Sequence, residues 1–123
     1  MTLPLRIDPG MRMSEAVVHE GRVYLSGMVA ETGESVAAQT LDILAQIDAL
    51  LARAGTDKSY LLKANIWLTD MATLAEMNAV WDGWVVPGHA PVRATVESRL
   101  ANPDWKVEIM VEAALPATAR HAV

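Results

Sequence analysis

The 123-residue chain contains no cysteine and no phenylalanine, and its aromatic residues are limited to four tryptophans and two tyrosines. The absence of cysteine excludes thiol nucleophiles, disulfides, iron–sulfur clusters and cysteine-ligated zinc sites. Basic residues are few, 10 against 15 acidic residues, and the formal net charge of -5 argues against general binding to nucleic acid or to anionic membranes. No apolar run approaches the roughly 20 residues that a membrane-spanning helix needs.

Hydrophobic residues make up 52% of the chain, slightly above the usual share of about 45–50%. The length predicts a single domain over residues 1–123, with a core at about 12–115. The N-terminal segment MTLPLRIDPGMRM lacks the apolar centre of a secretion signal, so we expect a cytoplasmic protein. A small chain this rich in valine, leucine, alanine and methionine is expected to bury more apolar surface than its own core supplies.

The hydrophobic spacing predicts the element order β-β-α-β-α-β-β. The predicted strands are 16–19, 22–28, 60–68, 92–98 and 106–114, the predicted helices are 35–54 and 72–84, and residues 1–13 are expected to be irregular. Glu20 and Gly21 fit a hairpin turn, Ser35 fits the N-cap of the first helix, and Gly55 fits the left-handed residue after it. This order predicts an α+β fold, in which two helices cover one face of a mostly antiparallel sheet.

Alternation along the strands predicts which side chains face away from the helices. The last strand is expected to direct Val107, Ile109 and Val111 inward, and the strand before it to direct Val92, Ala94 and Val96 inward. The face without helices is then predicted to carry Tyr24, Ser26, Met28, Trp67, Arg93, Glu108 and Met110. Because a solvated face seldom exposes so many large apolar groups, we expect another subunit to cover it.

Arg93 and Glu108 are the strongest candidates for chemistry. An arginine on a covered sheet face needs a carboxylate, and its two-pronged guanidinium suits a small carboxylic acid ligand. An ion pair with Glu97, Glu108 or Glu112 explains Arg93 equally well. Glu108 is suited to positioning a water or transferring a proton if burial raises its pKa, or it simply neutralises Arg93.

Weaker candidates are Ser26, Gly27 and Asn78. Ser26 and Gly27 offer a hydroxyl and a backbone without a Cβ that a ligand can approach closely, although a strand-end bulge explains the same glycine. Asn78 lies off the apolar stripe of the second helix, where an asparagine is usually only a surface residue. The three histidines, His19, His89 and His121, are scattered along the chain and do not suggest a metal site.

The ordered set of segments resembles the Rid family, also called the YjgF family. The segments are HEGRVYLSG (19–27), QT (39–40), KANIWLTD (63–70), MNAVW (77–81), PVR (91–93) and VEI (107–109). The similarity runs from about Arg12 to Ala114. It implies the chorismate-mutase-like α+β fold and a homotrimer with clefts between its subunits.

The resemblance also implies hydrolysis of reactive enamines and imines, such as 2-iminopropanoate and 2-iminobutanoate, to 2-oxoacids and ammonia, without a metal or an organic cofactor. Arg93 would bind the substrate carboxylate. Glu108 and the main-chain carbonyl of Thr95 would hold the attacking water, and Ser26, Gly27 and Asn78 would line the pocket. An alternative is a non-catalytic trimer that binds a small carboxylate or a partner protein.

Two positions depart from the typical deaminating pattern. Relatives carry a tyrosine in a Pro-Tyr segment before the first strand, where this chain reads Arg12-Met13-Ser14-Glu15. Thr95 replaces a usual cysteine in the arginine strand. The ribonuclease activity known for some relatives would require a phosphate-binding track, which the acidic composition does not offer.

Overall fold

Residues 3–117, which the computed structural model describes, form one seven-stranded sheet and two α-helices. The strands are β1 (Leu5–Ile7), β2 (Ala16–His19), β3 (Arg22–Leu25), β4 (Met28–Val29), β5 (Leu61–Leu68), β6 (Val92–Glu97) and β7 (Val107–Ala114), and the helices are α1 (Val36–Ala54) and α2 (Leu74–Trp84). The strand order is β1-β2-β3-β7-β5-β6, with β4 also paired to β7. Only the β5–β6 pair is parallel within these residues, so the predicted α+β architecture is confirmed.

Both helices begin and end close to their predicted positions. The Ser35 hydroxyl accepts a hydrogen bond from the Ala38 amide at 3.0 Å, and Gly55 ends α1 with a φ of 94°, a conformation that favours glycine. A 3₁₀ turn, Met71–Thr73, precedes α2, and the Asp70 carboxylate accepts from the Ala72 amide there. The second helix therefore starts as a 3₁₀ turn, and its α-helical part begins two residues later than predicted.

The two helices pack on one face of the sheet, here called the helix side; the other face is called the open face. Ile66, Leu68 and Ile109 from the strands share one buried cluster with Ile43 and Ile47 of α1. A bulge in β5 between Leu61 and Lys63 shifts the start of the strand by one residue. Leu61 is consequently buried and Leu62 is exposed, although simple alternation with Ala64 and Ile66 would place Leu62 on the helix side.

The N-terminal third departs from prediction at two places. Residues 5–7, expected to be irregular, form β1 and pair with β2. The predicted strand 22–28 is interrupted at Ser26, whose amide donates to the Glu15 carbonyl at 2.9 Å. After this break Met28 aligns with Ile109, and it is buried on the helix side rather than on the open face as predicted.

The facing of β6 is opposite to the prediction. Because β6 pairs in parallel with β5, Ala64 aligns with Arg93 and Ile66 with Thr95, and register-aligned residues point to the same side of a sheet. Arg93, Thr95 and Glu97 therefore lie on the helix side, and Val92, Ala94 and Val96 lie on the open face. Apolar alternation misleads here because β6 is an edge strand whose valines lie on the open face, with Val92 69% exposed.

The open face remains rich in apolar groups after these corrections. Tyr24, Trp67 and Met110 lie there as predicted, and Val92 and Val96 take the place of Met28. Tyr24, Met110 and both valines are exposed in the single chain. No helix within residues 3–117 is long and apolar enough to cross a membrane. Coverage of the open face by another subunit stays a prediction.

Candidate active site

Arg93 lies at the sheet edge formed by β6, on the helix side and next to α2. Its guanidinium carbon is 5.3 Å from the centre of a ring of Trp81. Within residues 3–117 no carboxylate lies within 4.0 Å of this guanidinium, and no side-chain or backbone oxygen accepts a hydrogen bond from it. The N–H donors of Arg93 thus form no hydrogen bond to any anionic group within residues 3–117.

The ion pairs that would have explained Arg93 without a ligand are not formed within the described chain. The Glu97 carboxylate instead accepts from the Met71 amide at 2.9 Å, at the start of the second helix. Glu108 and Glu112 lie on the open face, where they align with Trp67 and Tyr24. The prediction that Arg93 and Glu108 share one sheet face is therefore wrong.

Asn78 and Thr95 each bury a polar side-chain atom that has no partner. The Asn78 Oδ1 and the Thr95 Oγ1 are inaccessible to solvent, and no group in residues 3–117 donates to or accepts from them. Such atoms are rare in folded proteins because desolvation without a hydrogen bond is costly. Thr95 follows Arg93 by two residues on the same side of β6, and Asn78 comes three residues before Trp81 in α2, whose ring lies 5.3 Å from the Arg93 guanidinium carbon. The β6 edge and α2 thus carry two unused polar atoms as well as an unpaired cation.

Glu108 occupies the open face of β7 and is packed directly against Gly27. A Cβ at Gly27 would lie 2.2 Å from the Glu108 Oε2, so only glycine leaves room for the carboxylate in this position. Burial raises the pKa of Glu108 above its ordinary value. The carboxyl group is therefore able to take up a proton at a higher pH than an exposed glutamate.

Ser26 has a partner that the sequence did not suggest. Its hydroxyl donates to the Glu15 carboxylate at 3.4 Å, and a pocket of about 300 Å³ is lined by Met13, Glu15, Ser26 and Gly27 among others. The segment Arg12-Met13-Ser14-Glu15, which contains no tyrosine, thus borders this pocket through Met13 and Glu15. In the sequence, Glu15 lies just before the first predicted strand, and nothing there indicates that it pairs with Ser26.

The six predicted site residues consequently fall into two groups. Asn78, Arg93 and Thr95 form the first group, on the helix side at the β6 edge. Ser26, Gly27 and Glu108 form the second group, at the break between β3 and β4 and on the open face of β7. No group of three or more histidine, aspartate or glutamate residues in the described chain is arranged to hold a metal ion, and His121 lies outside the described residues.

Comparison with known proteins identifies the family. The family model described as Endoribonuclease L-PSP matches residues 4–115. A RutC family protein of Haemophilus ducreyi is 49% identical over 112 residues, which cover 89% of this chain and 95% of that protein. The crystal structure of a YjgF family member from Neisseria meningitidis superimposes with a TM-score of 0.91 at 51% identity, covering 92% of this chain and 95% of that one. The chain belongs to the Rid (YjgF) family.

Within the Rid family a more distant relative has a name that states a chemistry. Reactive Intermediate Deaminase A of the Arabidopsis thaliana chloroplast is 31% identical over 103 residues, which are 78% of this chain and 54% of that protein. The predicted α+β fold, a mostly antiparallel sheet covered on one face by two helices, is confirmed by both the architecture and the structural match to the YjgF family member.

Proposed function

We propose that the protein hydrolyses reactive 2-imino and enamino acids, such as 2-iminopropanoate and 2-iminobutanoate, to 2-oxoacids and ammonia. The observation that carries the proposal is the unpaired guanidinium of Arg93, which lies on the same side of β6 as the unpartnered Thr95 Oγ1 and close to the helix that carries the unpartnered Asn78 Oδ1. A planar carboxylate matches the fork of an arginine with two parallel hydrogen bonds. The name of the chloroplast relative supports a deaminase within this family.

The proposed substrate binds with its carboxylate on Arg93 and its C2–nitrogen group toward Asn78 and Thr95. The Asn78 oxygen accepts an N–H of the imine, and the main-chain carbonyl of Thr95 helps to hold the water. Such positioning fixes the electrophilic carbon in front of the nucleophile and removes the entropic cost of bringing them together. The chemistry needs neither a metal nor an organic cofactor.

Glu108 supplies the proton transfers. The water oxygen attacks C2 while a water proton passes to the Glu108 carboxylate, and the C=N double bond becomes a single bond. Glu108 then returns that proton to the nitrogen, which gives a neutral carbinolamine with an OH and an NH2 group on C2. Glu108 next takes the hydroxyl proton and passes it to the nitrogen, so the C2=O bond forms as the C–N bond breaks and ammonia leaves. Burial raises the pKa of Glu108, which makes its carboxylate a better proton acceptor than that of an exposed glutamate.

The two groups of site residues are proposed to meet between subunits of a homotrimer. A single chain places Arg93 on the helix side and Glu108 on the open face, so one chain does not bring them to one ligand. Copies joined in a closed ring put the edge of one chain against the open face of the next. The exposed Val92, Val96 and Met110 then become interface residues, as the apolar surplus of the sequence requires.

The alternative is a trimer that binds a small carboxylate for regulation or chaperoning and catalyses nothing. It uses the same Arg93 and differs only in lacking turnover. A nuclease is not favoured, because a net charge of -5 does not suit binding to a phosphate backbone. The proposed compartment is the cytoplasm, and the proposed partners are a small carboxylate-bearing substrate and copies of the same chain, without nucleic acid or membrane.

The test is the release of ammonia from imines generated in solution by an amino-acid oxidase. We expect the protein to accelerate hydrolysis over buffer, and Arg93→Ala to lose that acceleration. The deaminase proposal is contradicted if the wild type and Arg93→Ala give the same rate as buffer. Calorimetric binding of pyruvate that depends on Arg93 without any turnover would then support the carboxylate-binding alternative.

Gly27→Ala should lower kcat by roughly tenfold or more with little change in the affinity for pyruvate. The new Cβ displaces the Glu108 carboxylate from its position without touching Arg93, and loss of a positioned proton-transfer group costs about 100-fold or more. The matched control is Gly83→Ala in α2, where a Cβ meets nothing within 4 Å. Equal kcat values in the two variants would show that the carboxylate position against Gly27 does not matter.

A further inference from the structure

We infer that Trp81 is a positioning residue that holds the Arg93 guanidinium ready for the substrate carboxylate. This inference rests on the proposed function, because it assigns a role within the same site. The guanidinium carbon of Arg93 lies 5.3 Å from the centre of a Trp81 ring, which is within the range of a cation–π interaction. No other side chain in residues 3–117 makes a polar contact with that guanidinium.

Trp81 itself is held firmly by the packing between the two helices. It is only 5% exposed, and its ring lies 5.3 Å from the ring of Trp84 at an angle of 53°. The Trp84 indole N–H donates to the Asp48 carboxylate of α1 at 3.0–3.1 Å. The Lys58 ammonium lies 5.3 Å from the centre of the Trp84 ring. The platform beneath Arg93 is therefore fixed by contacts that do not involve the site.

An aromatic ring restrains the Arg93 side chain without occupying its hydrogen-bond donors, whereas a carboxylate partner would occupy them. Arg93 is exposed in the single chain and has a long side chain with many rotamers, so a bare arginine would lose entropy each time it binds a ligand. A glutamate would restrain it but would also occupy the donors that the substrate carboxylate needs. The face of Trp81 attracts the cation without accepting its N–H hydrogen bonds, which leaves the donor fork free.

The experiment compares Trp81→Phe, Trp81→Leu and site-specific incorporation of tetrafluorotryptophan at position 81. Fluorination weakens the attraction of the ring for a cation at nearly constant size, so this variant keeps the packing that Trp81→Leu disturbs. Measurements are KM and kcat for 2-iminopropanoate and the calorimetric Kd for pyruvate. Tetrafluorotryptophan at position 84 serves as the control, because it keeps the size of the ring that packs on Trp81, and the cation over Trp84 is Lys58 rather than Arg93.

We expect the tetrafluoro variant and Trp81→Leu to raise KM and the pyruvate Kd about two- to fivefold, with kcat nearly unchanged. Trp81→Phe should give values between theirs and those of the wild type, and tetrafluorotryptophan at position 84 should match the wild type. In an Arg93→Ala background the fluorination should have no effect on Kd. An unchanged Kd in the tetrafluoro variant, or an equal change with and without Arg93, overturns the inference.

The outcome separates this inference from the proposed deaminase. If no imine is turned over but pyruvate binding weakens on fluorination at position 81, the positioning role stands and the deaminase proposal fails. If turnover depends on Arg93 while the Kd for pyruvate does not change on fluorination at position 81, the deaminase proposal stands and the positioning role fails.

Discussion

Arg93→Ala should lower kcat/KM for 2-imino acids by roughly 100-fold, a loss that only Glu108→Gln is expected to match. Truncating one partner of a desolvated charge pair costs about 2–5 kcal/mol, and each 1.4 kcal/mol is a tenfold change in rate or affinity. Arg93 is suited to this role because no carboxylate in residues 3–117 pairs with it. Its guanidinium is therefore free to form its hydrogen bonds with the substrate carboxylate. The measurement is ammonia release with imines generated in solution.

Two further variants make this result specific to the carboxylate contact. Arg93→Lys keeps the positive charge but loses the planar fork, so it should recover only part of the loss. Arg53→Ala removes an exposed arginine paired with Asp8 at 2.8 Å, and an exposed pair contributes at most about 1 kcal/mol to stability. Activity should therefore stay at the wild-type level in Arg53→Ala. Equal losses in Arg93→Ala and Arg53→Ala would mean that the assay reports folding rather than carboxylate recognition.

The fold was largely accessible from the sequence because its helices carry strong local signals. The apolar spacing of α1, the hydroxyl of Ser35 and the left-handed Gly55 act within a few residues of one another, and all three were read correctly. Errors arose where pairing between distant strands decides the geometry. The bulge at Leu61 and the break at Ser26 depend on β7 and on Glu15, which local alternation does not register.

The candidate site was predicted in composition but not in arrangement. Arg93, Asn78 and Glu108 were selected for their chemistry and by resemblance, and the structure gives each of them an unusual environment. The side of the sheet on which Arg93 lies was missed, because an exposed edge strand reverses the usual relation between apolar side chains and the core. Trp81 was not among the predicted site residues, because only the parallel register of β5 and β6 brings Arg93 onto its ring.

Arg93 and Glu108 lie on opposite faces of the sheet in one chain. The second large effect that we expect is therefore a recovery of activity when two inactive variants, one at each residue, are mixed. Glu108→Gln removes the proton-transfer group and should be as inactive as Arg93→Ala. Burial raises the pKa of Glu108, which means that the fold disfavours its charged form, so a neutral glutamine leaves the chain at least as stable near neutral pH. The two variants are therefore suited to joint refolding, which lets their copies exchange.

In an equal mixture the two inactive chains should regain about a quarter of the wild-type activity. A site between copies needs Arg93 from one chain and Glu108 from the next, and random assembly places a Glu108→Gln chain before an Arg93→Ala chain at about one interface in four. If both residues served one ligand from a single chain, every site would lack one of them and no mixture would be active. Light scattering on the same samples verifies that the mixed species are trimers.

A second mixture controls for changes in folding or assembly. Wild-type chains combined equally with the Arg93→Ala/Glu108→Gln double variant should retain about a quarter of full activity if the site lies between copies, and about half if it lies within one chain. If the site lies between copies, both mixtures should have about a quarter of the wild-type activity. If it lies within one chain, the first mixture should be inactive and the second should have about half of the wild-type activity. The second pattern would contradict the shared site and, with it, the reason proposed here for the uncovered apolar face.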